Sequence, residues 1–290
     1  MIINLIKVLI LSLVEGITEF LPVSSTGHLI LVNQFVKLEP EGFSNAFNVI
    51  IQLGAILSVV VIYFEKLNPW AKSKQELPKK YKDLNAQSKA YYLATHPDKT
   101  TINLWLKVIV GVLPAMVLGL LFDDLIDAYL FNPITVAAML LLWGIIIIFI
   151  EKKNKTIKYD SLKDVPYTTI IMIGLFQCLA MVPGTSRSAA TIIGAMILGL
   201  SRPAAAEFSF FLAIPTMLGA TLLKLIKNLG DFTGTEWTLI LLGMILSFIV
   251  AFIVIKQFLA YVKKHDFIPF GIYRIILAVI VFVYFLLINR

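Results

Sequence analysis

Two carboxylates, four hydroxyls and a histidine fall within the stretch VEGITEFLPVSSTGHLIL at residues 14–31, in an otherwise apolar part of the chain. Glu15 and Glu19 are spaced i, i+4, so on a helix their carboxylates project from one face about one turn apart. Such a pair could hold one cation or share one proton. Because an acid at the centre of a membrane helix costs roughly 2.5–3.5 kcal/mol, two of them predict a partner or a water-filled cavity, with a position at the membrane interface as the alternative.

A proline ends the first helix of this stretch, and hydroxyl side chains follow it. Pro22 has no backbone donor and disfavours helical backbone at the residue before it. The hydroxyl residues at 24–26 are N-cap candidates for the next helix, whose first amides have no partner within the helix. His28 falls near the first turn of that helix. We expect it to act in catalysis or proton handling, with a purely structural histidine as the alternative.

A second apolar run is broken in the same way by VPGTSRS at 182–188. After Pro183 come Gly184, Thr185, Ser186 and Ser188. Two helix N-termini with free amides and hydroxyls, aimed at one point, would bind an anion. Arg187 is the one cation placed at such a break in the sequence, and a guanidinium binds phosphate oxygens at two points. The alternative is that Arg187 forms a structural ion pair with Glu15 or Glu19.

The composition is that of a multi-spanning membrane protein. Hydrophobic residues make up 59% of the 290 residues and charged residues only 15%, whereas soluble domains are roughly 45–50% apolar. The broken runs, 2–37 and 166–200, give halves of about 12–15 residues and predict re-entrant helix pairs. Runs near the roughly 20 residues that cross a bilayer as a helix predict six spans, at 45–64, 104–122, 133–150, 205–225, 237–260 and 267–289.

The two broken runs also indicate an internal repeat. Similar residues recur at an offset of 161: Pro22 and Pro183, Ser24 and Thr185, Ser25 and Ser186, Phe47 and Phe208. Their common order indicates two copies, about 1–155 and 160–290, within a single membrane domain over 1–290. Each copy would hold a re-entrant pair followed by three spans. Because three is an odd number, the second copy enters the membrane from the opposite side, and the repeat is inverted.

The net charge of +7 comes from lysines that gather in loops. This distribution predicts how the chain is oriented in the membrane, and it indicates no nucleic-acid partner. The loop at about 66–103 and the segment 151–165 are lysine-rich and should be cytoplasmic. The acidic stretch 123–132 is then expected as an external loop, and both termini and the opening of the site are expected to be external as well. We assign no chemistry to four cations near span ends, which should reach water: Lys7, Lys107, Lys256 and Arg274.

The motifs EGITEFLPVSSTGH, QCLAMVPGTSRSAATI, EFSFFLAIP and FIPFGIYR closely resemble those of the undecaprenyl-diphosphatase family, which is linked to bacitracin resistance. The resemblance covers nearly the whole chain except about 66–103. It implies an all-α integral membrane protein of the bacterial inner membrane, with six transmembrane helices and two re-entrant pairs in an inverted repeat. It also implies hydrolysis of undecaprenyl diphosphate, which releases the monophosphate carrier for cell-wall synthesis.

The same resemblance implies the residues of the site. By matching the family's motifs, the catalytic residues are Glu15, Glu19, Ser25, His28 and Arg187. Substrate contacts are expected from Ser24, Thr26, Gly184, Thr185, Ser186 and Ser188. A divalent cation, Ca²⁺ or Mg²⁺, is implied, with Glu15 and Glu19 as its ligands. Two positions depart from the family pattern, because Ala189 stands where glycine is common and Asn48 where an acid is frequent.

Several alternatives stay open from the residues alone. The nucleophile could be Ser25, His28 or an activated water, and His28 or a glutamate could take the proton. A transporter or flippase of a polyprenyl-phosphate lipid is the rival class, since inverted repeats with broken helices are common in transporters. A lipid-binding scaffold without catalysis is a third interpretation. The sequence is compatible with a homo-oligomer. Three residues could support the site from outside its first contacts: Gln52, Gln177 and Glu207.

Overall fold

The computed structural model describes residues 2–71, 86–153, 156–227, 230 and 232–285, and helices make up most of this part of the chain. The helices are α1 Ile2–Thr18, α2 Ser25–Val32, α3 Glu41–Ile62, α4 Phe64–Leu67, α5 Ala86–Thr95, α6 Lys99–Leu130, α7 Pro133–Lys152, α8 Tyr167–Cys178, α9 Arg187–Ile197, α10 Arg202–Lys227, α11 Gly234–Val262 and α12 Ile268–Val283. A single turn of 3₁₀ helix, Leu179–Met181, follows α8.

Five helices of the described part are long and apolar enough to cross a membrane: α3, α6 as far as Phe122, α7, α10 as far as Ile226, and α11. They correspond to five of the six predicted spans, so the class of all-α, multi-pass membrane protein is confirmed. The helix at the sixth position, α12, has 16 residues, fewer than the roughly 20 that cross the hydrocarbon. Whether this segment spans the membrane stays a prediction.

The predicted external loop at 123–132 is wrong, because α6 continues as helix to Leu130. No proline or glycine interrupts 120–130. The chain turns only where Asn132 caps α7, by accepting a hydrogen bond from the amide of Thr135 at 2.9 Å. The predicted loop at 66–103 is also shorter than expected, since it contains α4, α5 and the start of α6. Its stretch 72–85 lies outside the described residues.

The helices that carry the broken runs are held by long neighbours. Helix α1 packs against α11, α8 packs against α6, and α7 packs against α12. Glycines allow these close approaches, as small residues commonly do between membrane helices. A Cβ on Gly16 of α1 would lie 2.9 Å from the carbonyl oxygen of Ser247 on α11, and one on Gly174 of α8 would collide with the carbonyl of Gly111 on α6. The two breaks therefore lie at fixed positions inside the bundle.

Candidate active site

Both breaks end in the same cap. Ser24 and Ser186 have the left-handed backbone angles φ 72° and φ 74°, which non-glycine residues rarely adopt. Each hydroxyl accepts a hydrogen bond at 3.2 Å from the amide three residues on, Gly27 or Ala189. The two caps are 162 residues apart, so the offset of 161 is wrong by one at this point, and Ser24 corresponds to Ser186 instead of Thr185. Strained backbone of this kind is concentrated at functional sites.

Glu19 joins the two breaks. The Ser25 hydroxyl donates a hydrogen bond to Glu19 Oε2 at 2.7 Å, and Arg187 Nη2 donates to Glu19 Oε1 at 3.1 Å. The side chains of Arg187 and Glu19 are only 12% and 9% exposed, so their attraction is little screened by water. The predicted ion pair of Arg187 with a glutamate is thus present. The same Glu19 carboxylate accepts the hydrogen bond of the Ser25 hydroxyl and is therefore placed to accept its proton.

The other side of the Arg187 guanidinium is held by α10. Nη1 donates to the carbonyl of Ser209 at 2.9 Å and approaches the Ser209 hydroxyl at 3.4 Å. The hydroxyls of Ser209 and Thr191 lie 2.6 Å apart. Phe20 places its ring 5.9 Å from the guanidinium carbon. Ser209 did not emerge as a site residue from the sequence, although it lies inside the motif EFSFFLAIP, because its main contact is made by a backbone carbonyl.

A cavity of about 180 Å³ opens beside this ion pair. Six predicted site residues line it: Glu19, Ser25, Thr26, Gly184, Ser186 and Arg187. Gln52 and Thr216 add polar groups to its wall, so Gln52 lines the cavity itself. The glutamine Gln177 contacts the wall indirectly, since its amide lies 3.5 Å from the Thr216 hydroxyl. Glu207 instead forms an ion pair with Lys66 at 2.6 Å and does not line the cavity.

Four predicted site residues lie behind the wall of the cavity. Glu15 is fully buried, and its carboxylate oxygens accept no hydrogen bond from any donor in the described residues. Ser24 acts as the cap. Ser188 donates to the carbonyl of Leu21 at 2.8 Å and so ties the second break to the first. The hydroxyl of Thr185 is buried and has no partner within the described part of the chain.

His28 lies outside the cavity and bonds to Ser24 and Tyr273. Its Nδ1 lies 2.7 Å from the carbonyl oxygen of Ser24, and its Nε2 lies 2.6 Å from the hydroxyl of Tyr273. His28 does not line the cavity. The imidazole bonds back along its own helix and to Tyr273, so these contacts do not join it to Ser25 or to the carboxylates. Its catalytic role stays a prediction.

Arg274 was expected to reach water, and this is wrong. It is fully buried and donates to carbonyl oxygens of both breaks, at 2.7 Å to Gly184, 3.0 Å to Thr185 and 3.3 Å to Pro22. Broken helices leave carbonyls without partners, and inside a membrane protein these must be satisfied by other donors. Lys107 is a similar case, since it is 3% exposed and donates to the carbonyls of Leu162 and Lys163 at 2.8 Å.

Long apolar helices around two broken ones, which meet at a buried ion pair, define a multi-pass membrane protein with a polar site inside the bundle. The family model of the bacitracin resistance protein BacA matches residues 8–280. The chain belongs to this family.

The chain is similar over nearly its whole length to curated proteins named undecaprenyl-diphosphatase. It is 51% identical over 285 residues to undecaprenyl-diphosphatase 1 of Clostridioides difficile, which covers 98% of this chain and 97% of that protein. It is 53% identical over 284 residues to the protein of Fusobacterium nucleatum, covering 95% and 98%. The protein of Limosilactobacillus fermentum is 49% identical over 290 residues, covering 98% of both chains.

Proposed function

We propose that this protein hydrolyses undecaprenyl diphosphate to undecaprenyl phosphate and inorganic phosphate, which recycles the lipid carrier for cell-wall synthesis and confers bacitracin resistance. The names of its relatives support this substrate. The observation that carries the proposal is the bridge from Ser25 through Glu19 to Arg187 at the cavity wall. A polyprenyl chain gains about 0.8 kcal/mol per buried CH₂ and stays in the bilayer, so its head group must be met there.

In the proposed reaction, Ser25 is the nucleophile. Its oxygen attacks the terminal phosphorus while Glu19 accepts the hydroxyl proton, and the bond from that phosphorus to the bridging oxygen breaks. Undecaprenyl phosphate leaves, and a water then releases phosphate from the serine. Arg187 turns from Glu19 toward the phosphate oxygens and stabilises the transition state. Further phosphate contacts come from the residues of the two breaks that line the cavity, Thr26, Gly184 and Ser186. Ser24, Thr185 and Ser188 support the two breaks from behind its wall.

We also propose a divalent cation, Ca²⁺ or Mg²⁺, at Glu15 and Glu19. No group of three acidic, histidine or cysteine ligands occurs among the described residues. The two carboxylates still fit a hard cation in part, because both Glu15 oxygens are buried without a hydrogen-bond donor from the described chain. When bound, the ion would offset negative charge on the phosphates. Removing divalent ions with a chelator should lower phosphate release by wild type, and Glu15→Gln should raise the Mg²⁺ concentration that restores it.

The architecture proposed for this site is a single domain over 1–290 with inverted halves, about 1–155 and 160–290. Reciprocal packing supports it, since α1 packs on α11 of the other half while α8 packs on α6. With α12 as the sixth span, α1–α2 and α8–α9 are the two re-entrant pairs. The lysine-rich side then faces the cytoplasm, and the termini and the site opening face the periplasmic side of the bacterial inner membrane.

The direct test is phosphate release from undecaprenyl diphosphate by the purified protein in detergent. A hydrolase works there, whereas a transporter or flippase has no gradient or second compartment to act on. Lipid binding without phosphate release would favour transport. Acid quenching during turnover should trap phosphate on Ser25, and turnover by Ser25→Ala near the wild-type rate would remove serine as the nucleophile. The scaffold alternative predicts that Arg187→Ala combined with Glu19→Gln keeps its cellular function.

A further inference from the structure

We propose that His28 and Tyr273 are positioning residues, which hold the backbone at Ser24 so that the Ser25 hydroxyl points at Glu19. The role of these residues in turnover rests on the proposed function, whereas the hydrogen-bonded arrangement of Ser24, His28 and Tyr273 does not. Neither ring lines the cavity. Both act through the peptide that precedes the reacting serine.

The hydrogen bonds determine which ring nitrogen of His28 carries the proton. The carbonyl oxygen of Ser24 can only accept, so Nδ1 at 2.7 Å must be the donor. In the neutral ring Nε2 is then an acceptor, and the Tyr273 hydroxyl at 2.6 Å donates to it. The rings also stack, with centroids 5.5 Å apart and planes 9° from parallel. The Ser24 carbonyl thus fixes the tautomer, and Tyr273 holds the orientation of the imidazole.

This tautomer leaves His28 poorly placed to act as a base for Ser25. The lone pair that could take a proton lies on Nε2 and already accepts from Tyr273, whereas the Ser25 hydroxyl already donates to Glu19 at 2.7 Å. What the imidazole does contact is the Ser24 carbonyl, which also accepts the backbone amide of His28 at 3.3 Å. Two donors from one residue therefore hold the strained peptide directly before the nucleophile.

The second break gives an internal comparison. Ser186 has the same left-handed backbone as Ser24, but Ala190 stands where the first break has His28, 162 residues earlier. The cap conformation therefore forms without an imidazole. What differs is the next side chain. Arg187 is held directly by Ser209 and Glu19, whereas the short Ser25 side chain bonds only to Glu19 among the described residues. The histidine and tyrosine add rigidity at the break that carries the nucleophile.

The test compares amide replacements of the ring in purified full-length protein, with kcat and KM measured on undecaprenyl diphosphate. An asparagine amide can donate from near the Nδ1 position, whereas a glutamine amide extends toward Nε2. We expect His28→Ala to lower kcat about 100-fold with KM within about threefold, since a misplaced nucleophile costs rate more than binding. The kcat of His28→Asn should be at least about tenfold higher than that of His28→Ala, and His28→Gln should gain much less. Tyr273→Phe should lower kcat by less than His28→Ala does. The double variant should have the same kcat as His28→Ala alone.

His265→Asn and Tyr129→Phe are matched controls, because both residues are exposed and lie away from the cavity. Should His28→Ala not fold, the contrast between asparagine and glutamine carries the test, and asparagine no better than glutamine would overturn the proposal. Nitrogen-15 NMR of histidine-labelled wild type gives a reading that needs no turnover. A neutral His28 protonated on Nδ1 supports the arrangement, and protonation on Nε2 overturns it, even if wild type releases no phosphate and the proposed function fails.

Discussion

Arg187 and Glu19 are 168 positions apart in the chain, yet a guanidinium nitrogen of one lies 3.1 Å from a carboxylate oxygen of the other. Arg187 begins α9 and Glu19 directly follows α1. The pair therefore exists only when the two breaks meet. Because both side chains are nearly buried, the contact joins the two breaks electrostatically and places the cation beside Ser25.

The first prediction concerns the shape of this cation. Arg187→Lys keeps the charge but cannot bond Glu19 and the Ser209 carbonyl together, since an ammonium lacks the planar fork of a guanidinium. We expect kcat/KM for phosphate release to fall about 10²–10³-fold, as when one preorganised transition-state donor is lost. Arg202→Lys is the control, because Arg202 forms a two-point ion pair with Glu151 away from the cavity. Equal losses in both variants would contradict a special role for Arg187.

The second prediction concerns the buried cation of α12. Arg274→Met should lower both the melting temperature and the activity in detergent, because carbonyls of both breaks lose their donor. Each buried acceptor left unpaired costs about 1–3 kcal/mol, so a loss of at least about 3 kcal/mol is expected. Lys256→Met is the matched control, since Lys256 is exposed and lies 4.2 Å above the ring of Phe252. A variant of Arg274 as stable as this control would show that the carbonyls find other partners.

The third prediction concerns helix contact. Gly54→Ala should destabilise the protein, because its Cβ would collide with the carbonyl of Met244 on a neighbouring helix, and overpacking of this kind costs about 1–3 kcal/mol. Gly119→Ala adds the same methyl group where nothing lies within 4 Å. It should leave the melting temperature unchanged or raise it, because alanine favours helix. If the two variants have the same melting curve, the close approach of Gly54 to Met244 is contradicted.

The fourth prediction concerns orientation in the membrane. In a Cys178→Ala background, single cysteines at Phe131 and Lys153 would flank α7 on opposite ends. A membrane-impermeant thiol reagent applied to whole cells should label position 131 and leave 153 unlabelled until the cells are lysed. The reverse pattern would invert the proposed topology without affecting the site chemistry.

The chemistry-bearing residues were predictable where a side chain carries the function. Glu19, Ser25 and Arg187 stand out in sequence because polar groups are costly within apolar runs, and the structure brings these three together. Arg274 and Ser209 were missed because their contacts involve backbone carbonyls. Which carbonyls lack a partner depends on where helices break and pack. The type of a residue does not show whether its carbonyl is one of them.

The fold divides in the same way. Composition and run length determined that this chain is a helical membrane protein, because the width of the hydrocarbon fixes how many apolar residues a span requires. Pro22 and Pro183 predicted the breaks, since proline has no backbone donor and disfavours helical backbone at the residue before it. Only the tertiary structure decided that His28 turns to Tyr273 and that the two caps correspond at 162 residues. The first depends on a hydrogen bond between helices distant in the chain, and the second on the left-handed backbone of Ser24 and Ser186, and residue type alone sets neither.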